Sequence, residues 1–119
     1  MVTKIYKQTK KFPEEEKFGL IAQMRRSAIS VPPNIGESAT RKNDKEYIQF
    51  LYISLSSLAE LETQLIISSN LGYTTNNLLL DEVERLIRSL LAFIKYLKNL
   101  KLTLILSYKY QSVIKPLNL

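Results

Sequence analysis

Apolar residues recur every three or four positions along most of the chain, which is the spacing of amphipathic α-helices. The most regular series comprises Ile48, Leu51, Leu55, Leu58, Leu61 and Leu65. Asn43 and Glu46 precede it with the spacing of a capping box, and Gly72 follows it as a residue that tolerates the positive φ of a helix C-terminus. The pattern therefore predicts a long helix that opens after Asn43 and runs through Ser69.

A second apolar series follows the turn-rich residues 73–77 and predicts the final helix. Its members are Val83, Leu86, Ile87, Leu90, Leu91, Ile94 and Leu97. This apolar face is wide enough to pack against two neighbours, which indicates self-association. The weak alternation of residues 101–106 leaves open whether the helix continues or the chain becomes extended. Residues 107–119 are expected to form a loosely held tail.

Two further helices are predicted in the first 40 residues. Residues 1–11 place Val2, Ile5 and Tyr6 opposite lysines, which predicts a short amphipathic helix. Pro13 and the three glutamates behind it suit a first helical turn and predict that the next helix starts here. The apolar stripe of this helix comprises Leu20, Met24, Ala28, Val31 and Ile35.

Pro32 and Pro33 interrupt the second helix. Neither proline has an N–H to donate, and each ring clashes with the carbonyl four residues back. Either the helix kinks here, or it ends and restarts with Ser30 as N-cap and both prolines in a first turn. Both alternatives keep residues 34–39 helical.

Four helices predict an all-α fold, an antiparallel up-down four-helix bundle over residues 1–106 with a C-terminal tail over residues 107–119. A chain of 119 residues with only 3 Gly and 4 Pro fits a single core. No uninterrupted apolar run approaches the roughly 18 to 20 residues of a membrane span. Residues 1–11 also lack the apolar segment of a signal peptide, so a cytoplasmic location is expected.

The composition offers little catalytic chemistry. With no Cys and no His, the chain lacks the residues that supply most nucleophiles, near-neutral bases and transition-metal ligands. We therefore expect no enzymatic activity, no cofactor and no metal. The alternative is a carboxylate-dependent hydrolase built on Glu37, Glu60 and Glu62, whose carboxyl groups would have to converge in an open pocket.

Excess positive charge points to a different class of partner. The net charge of +6 and the pI of 9.6 make nucleic acid a candidate ligand. The alternative is a basic, solvent-exposed surface that binds no ligand. The candidate nucleic-acid-binding residues are Lys4, Lys7, Lys10, Lys11, Arg41, Lys42, Lys45, Arg85, Arg88, Lys95 and Lys98. Tyr47, Tyr52, Tyr108 and Tyr110 are candidates for stacking on bases, with a core position as the alternative.

Several blocks of residues carry a family resemblance. They are Phe12-Pro13-Glu14-Glu15, Phe18-Gly19-Leu20, Gln23, Arg25-Arg26-Ser27-Ala28-Ile29-Ser30, Asn34-Ile35-Gly36-Glu37, Lys45-Glu46-Tyr47, Phe50-Leu51, Glu60-Leu61-Glu62, Gln64-Leu65 and Leu71-Gly72-Tyr73. In order and spacing they resemble the four-helix-bundle proteins encoded by intervening sequences within bacterial 23S ribosomal RNA genes. The chain departs from the common pattern at Gly36 and Ser38, where that family has Ala and Gly, and in its short first helix.

This resemblance implies a four-helix bundle assembled as a homopentameric ring, with a basic surface for nucleic acid and no established catalytic activity. The family is also similar to the accessory proteins of diversity-generating retroelements, which assist a reverse transcriptase. The implied partners are therefore other copies of the chain, RNA or DNA, and a reverse transcriptase.

Polar residues in and near these blocks form a second candidate set: Gln23, Arg25, Arg26, Ser30, Asn34, Glu37, Glu60 and Glu62. One interpretation is a site that holds a phosphate or a partner. The interpretation we favour is an ion network, buried or bridging subunits, in which Arg26 and Glu37 face Glu60 or Glu62. The leading functional hypothesis is a non-enzymatic oligomer that binds nucleic acid without strong sequence specificity. The alternative is a structural or adaptor oligomer that binds a protein.

Overall fold

The computed structural model describes residues 1–40 and 43–114, and within them the chain is helical without strands. Four α-helices follow one another: α1 (Val2–Thr9), α2 (Leu20–Ala39), α3 (Asp44–Asn70) and α4 (Leu78–Lys109). A short 3₁₀ turn (Glu14–Glu16) separates α1 from α2, and a π-helical turn (Tyr110–Ile114) follows α4. The predicted all-α class with four helices is confirmed.

Helix α3 begins and ends as its sequence predicts. The side chain of Asn43 accepts a hydrogen bond from the backbone N–H of Lys45 at 2.8 Å, which caps the N-terminus. At the other end Gly72 has a φ of 76°. The N–H groups of Gly72 and Tyr73 donate to the carbonyls of Ser69 and Ser68, which closes a Schellman motif.

Helices α2 and α3 run antiparallel and are joined by hydroxyl groups. The contacts pair Ser27 with Glu60, Ser30 with Ser57, and the carbonyl of Val31 with Ser54. Positions rise along α2 as they fall along α3, which fixes the relative direction of these two helices. The up-down order of the whole bundle stays a prediction.

Helix α2 continues through Pro32 and Pro33 without ending. Ser30 does not cap a new helix, because its hydroxyl donates to the carbonyl of Ser27 at 2.8 Å. The amide of Asn34 in turn donates to the carbonyl of Ser30 at 2.7 Å, so side chains bond the backbone on both sides of the prolines. The alternative in which the helix restarts is therefore wrong, and residues 34–39 are helical as both alternatives required.

The start of α2 was predicted seven residues too early. Pro13 opens only the 3₁₀ turn, and the α-helix begins at Leu20 after Gly19. The side chain of Phe12 turns into the core, where its ring centroid lies 5.3 Å from that of Tyr73. This contact anchors the chain just before Pro13, and residues 13–19 contain only the 3₁₀ turn before α2 begins.

The core consists of residues from all four helices together with Phe12. Its most completely buried large side chains are Ile5, Met24, Leu51, Leu58, Leu61 and Val83. Helix α3 supplies three of these six side chains and contacts both α2 and α4. By length and composition α3 could also cross a membrane, with a mean hydropathy of 1.2 in its most apolar window. The central helix of a bundle has the same composition, so this observation alone does not indicate a span.

Residues 101–106, for which the sequence left open a helical or an extended conformation, are helical and continue α4. The helix passes the predicted boundary at residue 106 and ends at Lys109. Its last turns extend past the start of α3, and the molecule measures 74 × 24 × 17 Å. The division into a bundle and a tail stays a prediction, and residues 115–119 of that tail lie outside the described residues.

Candidate nucleic-acid interface

The positive charge of the chain is concentrated in its last third. No Asp or Glu follows Glu84, whereas seven Lys or Arg residues do. The preceding 84 residues contain ten Lys or Arg against eleven Asp or Glu and are close to neutral. The excess positive charge therefore lies after Glu84, and six of these seven cations, all except Lys115, belong to helix α4.

Four of these cations form one line along α4. Arg88, Lys95, Lys98 and Lys109 are separated by seven, three and eleven residues, spacings that return to the same side of an α-helix. All four side chains are exposed. We call this set the α4 stripe, and it extends for about 30 Å along the helix axis at 1.5 Å per residue. Lys109 was missed by sequence reasoning because the residues around it were assigned to a tail.

A groove between α3 and α4 adjoins the α4 stripe. This Tyr52 groove has a volume of about 550 Å³ and is lined by Lys45, Ile48, Gln49, Tyr52, Lys98 and Lys101. The ammonium group of Lys98 lies 2.6 Å from the hydroxyl of Tyr52 and 4.9 Å from its ring centroid. The groove thus combines three cations with one exposed aromatic ring. Asp44 and Lys101 both line the neighbouring groove.

A second basic groove lies at the other end of the bundle, between α1 and the α3–α4 loop. It is lined by Lys4, Lys7, Gln8, Lys11, Tyr73, Thr74, Thr75 and Asn76 and has a volume of about 340 Å³. Acidic groups are close to this α1 groove. The Lys4 ammonium lies 2.9 Å from a carboxylate oxygen of Glu82, and burial together with the charges of Glu16 and Glu15 raises the pKa of Tyr73.

The pairing of Lys4 with Glu82 has an electrostatic signature. The hydrogen bond from Lys4 lowers the pKa of Glu82, partial burial opposes this effect, and the amino group of Met1, at 3.6 Å, adds to it. Lys4 is therefore already partnered by a carboxylate within the chain. Because its neighbours are acidic, the α1 groove fits a phosphate less well than the α4 stripe does.

The remaining predicted cations are dispersed. Lys10 is exposed at the end of α1, and Arg85 lines a further groove with Lys4 and Glu82. Arg41 and Lys42 lie outside the described residues. Of the predicted set, Arg88, Lys95 and Lys98 thus share one side of α4, and Lys98 lies in the Tyr52 groove with Lys45. Lys101, which sequence reasoning missed, lines the same groove.

Among the tyrosines, only some are available for stacking. Tyr52 is exposed in its groove, and Tyr108 and Tyr110 are exposed at the end of α4. Tyr47 is half-buried, and its ring centroid lies 6.4 Å from that of Phe93. The core alternative therefore holds for Tyr47 but not for Tyr52.

Arg25, one of the predicted network residues, joins α1 to α2. Its guanidinium donates to the hydroxyl of Thr9 at 3.0 Å and to the carbonyl of Tyr6 at 3.4 Å. The same group lies 4.7 Å from the centroid of the Tyr6 ring. Thr9 is fully buried and also donates to the carbonyl of Ile5. These contacts give Arg25 a structural role at this helix junction.

The other polar candidates divide between the α2–α3 contact and the surface. Ser30 belongs to the hydroxyl-rich contact described above, and Glu60 accepts a hydrogen bond from Ser27 at 3.2 Å. Asn34 donates within α2, to the carbonyl of Ser30. Gln23, Arg26 and Glu37 are exposed, and Glu62 is half-buried. Among the described residues Arg26 forms no ion pair with Glu60 or Glu62. A network that bridges subunits stays a prediction.

The carboxylates of the hydrolase alternative do not converge. Glu60 contacts Ser27, whereas Glu37 lies ten residues further along α2. At 1.5 Å per residue this separates the two positions by about 15 Å along the helix. Two carboxylates at this distance are too far apart to act on one bond, so the geometry gives this alternative no support.

Comparison with known proteins identifies the family. The family model for 23S rRNA-intervening sequence proteins matches residues 1–95. The chain belongs to this family. No match was found among curated proteins. Residues 96–114 lie beyond the matched region, and they contain Lys98, Lys101 and Lys109.

Proposed function

We propose that this 23S rRNA-intervening sequence protein is a non-enzymatic, self-associating bundle that binds RNA or DNA through basic surfaces without strong sequence specificity. The observation that carries the proposal is the α4 stripe, a line of exposed cations on a helix that has no acidic residue after Glu84. A phosphate backbone presents negative charge at regular intervals and matches such a line.

The chemistry of the stripe favours tolerance of sequence. Three of its four cations are lysines, whose ammonium groups act as point charges and bind phosphates without reading bases. Tyr52, which is 39% exposed, offers a ring on which any base could stack once Lys98 moves to a phosphate. A single-stranded segment is therefore a suitable ligand for the Tyr52 groove.

Self-association strengthens this weak individual surface. One subunit offers only four cations on its stripe, and exposed charges contribute little each in water. An assembly presents several stripes to one nucleic acid, so later contacts form at high effective concentration. We therefore expect affinity that depends on assembly and falls steeply with salt.

The test is fluorescence anisotropy of labelled mixed-sequence RNA and DNA across a salt series, with light scattering on the same samples. Replacing Lys95 and Lys98 by Gln should lower the log–log salt slope by about 1.8 per bound subunit on duplex DNA, or about 1.4 on a single strand. A matched control replaces Lys10 and Lys17, which lie outside the stripe, and changes net charge equally. Absence of binding at low salt would refute the proposal.

A second candidate is an adaptor oligomer that binds a protein, such as a reverse transcriptase. It is favoured by apolar side chains on the surface of α4, among them Leu86, Leu91 and Phe93. The two candidates separate in the same experiment. An assembly that binds neither RNA nor DNA at any salt concentration would favour the adaptor function.

A further inference from the structure

The groove that neighbours the Tyr52 groove continues it along the contact between α3 and α4. Its volume is about 220 Å³, and its mostly apolar lining comprises Asp44, Tyr47, Ile48, Leu97, Leu100, Lys101 and Leu104. We call it the Leu97 pocket. Ile48 and Lys101 line both cavities. The pocket and the Tyr52 groove are therefore adjoining compartments with a shared wall, and one extended ligand can occupy both.

The two compartments differ in their chemistry. The Tyr52 groove contains three lysines and one exposed ring, and no carboxylate lines it within the described part of the chain. The Leu97 pocket has apolar walls, the half-buried ring of Tyr47 and the carboxylate of Asp44. Because like charges repel, Asp44 disfavours a phosphate in the pocket, whereas the lysines attract one to the groove. The pocket therefore suits an uncharged, flat group attached to an anion.

A nucleic-acid strand has this alternation of charged and apolar parts. Each nucleotide joins an anionic phosphate to an uncharged base with a π-face on which aromatic side chains stack. In a duplex the bases are paired and stacked inside the helix, so their faces are not accessible. In a single strand they can turn away from the backbone and stack on a protein ring. An unpaired strand is therefore the form of nucleic acid whose bases fit both compartments.

We propose that the Tyr52 groove and the Leu97 pocket together bind two successive unpaired nucleotides of RNA or DNA. One base stacks on Tyr52, the next base enters the Leu97 pocket, and Lys101, which borders both compartments, binds the phosphate between them. The amide of Gln49 both donates and accepts hydrogen bonds, so it tolerates any base in the groove. This inference rests on the proposed function and deepens it, because it assigns a place on the protein to the bases.

Lys98 covers the ring of Tyr52 in the free protein. Its ammonium donates to the Tyr52 hydroxyl and lies 4.9 Å from the ring centroid. Both contacts are exposed, and a cation at an exposed site gains little from a ring. A phosphate offers this ammonium a full negative charge. The strand that supplies the phosphate therefore also frees the ring on which its base stacks.

The α4 stripe favours a strand over a free nucleotide. It continues the positive charge of the Tyr52 groove, with Arg88 and Lys95 before Lys98 and Lys109 after it, over about 30 Å. A mononucleotide reaches only the compartment that it occupies. A strand brings further phosphates to these cations, and each one that is neutralised adds to the affinity. Charge complementarity over this length points to a polymer.

An abasic strand separates base contacts from phosphate contacts, because it keeps every phosphate and lacks every base. Fluorescence anisotropy compares it with an intact strand of equal length, in ribose and deoxyribose versions. Tyr52→Leu keeps an apolar side chain but removes the ring, and the matched control Tyr52→Phe keeps the ring. Tyr52→Leu should lower the affinity for the intact strand by about 5-fold or more and leave the abasic strand within about 2-fold. Tyr52→Phe should change neither affinity.

The Leu97 pocket is tested at Leu104, which lines it and is 62% exposed, so that its replacement spares the core. Leu104→Ala shortens one wall and should lower the affinity for the intact strand by about 4-fold, equivalent to the loss of one buried methylene. The abasic strand should bind as before. The control is Leu102→Ala, at an equally exposed position of the same helix that lines neither compartment. It should leave both affinities within about 2-fold.

Three results overturn the inference. Equal affinities of the unmodified protein for intact and abasic strands would show that only phosphates are bound. Equal effects of Tyr52→Leu and Tyr52→Phe would exclude stacking on the ring, and equal effects of Leu104→Ala and Leu102→Ala would exclude a base from the pocket. In each case, salt-dependent binding of the abasic strand and of duplex DNA would still support the proposed function. Only the absence of binding to every one of these ligands would refute that function as well.

Discussion

Replacing Arg25 by Met tests how α1 is held against the bundle. Helix α1 is only eight residues long, and isolated helices of this length are unstable in water. Its attachment therefore depends on tertiary contacts, of which the guanidinium of Arg25 makes two hydrogen bonds and one ring contact. Methionine keeps much of the apolar stem of the side chain but removes all three contacts.

The magnitude follows from these contacts. A hydrogen bond to a charged group contributes about 1.5 to 3 kcal/mol. We count only the bond to Thr9, because the bond to Tyr6 is long, and we take the low end because Arg25 is only half-buried. The cation–π contact adds about 0.5 kcal/mol at a partly exposed site. The expected loss is about 2 kcal/mol. With an unfolding entropy of about 2 cal/mol/K per residue, this loss corresponds to a Tm about 8 °C lower.

The assay is urea unfolding followed by circular dichroism, with a matched control at the neighbouring arginine. Arg26→Met removes the same charge from an exposed position and should cost less than about 0.5 kcal/mol. Arg25→Lys keeps the charge without the planar fork and should fall between wild type and Arg25→Met. Equal effects of Arg25→Met and Arg26→Met would refute the reasoning, because they would show that the contacts with α1 add no stability.

Three further variants address other parts of the fold. Leu61→Ala, at a fully buried position, should cost about 2 to 5 kcal/mol in urea unfolding, and a cost below 1 kcal/mol would contradict its place in the core. Gly72→Ala should destabilise by about 1 kcal/mol because its φ of 76° is unfavourable for a residue with a side chain, whereas Gly36→Ala inside α2 should stabilise. The lowered pKa of Glu82 means that its pairing with Lys4 stabilises the fold above the ordinary pKa of a glutamate and ceases to do so as pH falls through the lowered value. Glu82→Gln should therefore cost about 0.2 to 1 kcal/mol at neutral pH and nothing in strong acid, as thermal unfolding across pH would show.

The sequence predicts α3 well because independent signals agree there. Apolar periodicity, the Asn43 cap and Gly72 all place the same boundaries, and each signal is local. The start of α2 fails for the opposite reason. Pro13 and the glutamates satisfy local rules for a helix start, but burial of Phe12 against Tyr73 depends on a contact between residues 61 positions apart. Tertiary packing overrides propensity at such a site.

In the candidate interface, too, the sequence predicts the features that are local and misses those that depend on tertiary contacts. Composition identifies the excess of cations, but their grouping depends on the contact between α3 and α4 that places Lys98 beside Tyr52. No local pattern shows that Lys4 is partnered by Glu82. Ser30 was predicted as a polar candidate, but its partner Ser57 and the neighbouring Ser54 on α3 were missed, although two serines within an apolar helix were a usable signal.

Lys98 belongs to both the α4 stripe and the Tyr52 groove, and this has a physical consequence. The cations of the stripe lie on one continuous helix, so their spacing is set in advance and less conformational entropy is lost when a phosphate backbone binds. A strand that follows the stripe brings a phosphate to Lys98 and so draws its ammonium away from the ring of Tyr52. Binding of a phosphate at Lys98 and stacking of a base on Tyr52 are then thermodynamically linked, so that each one strengthens the other by the same factor.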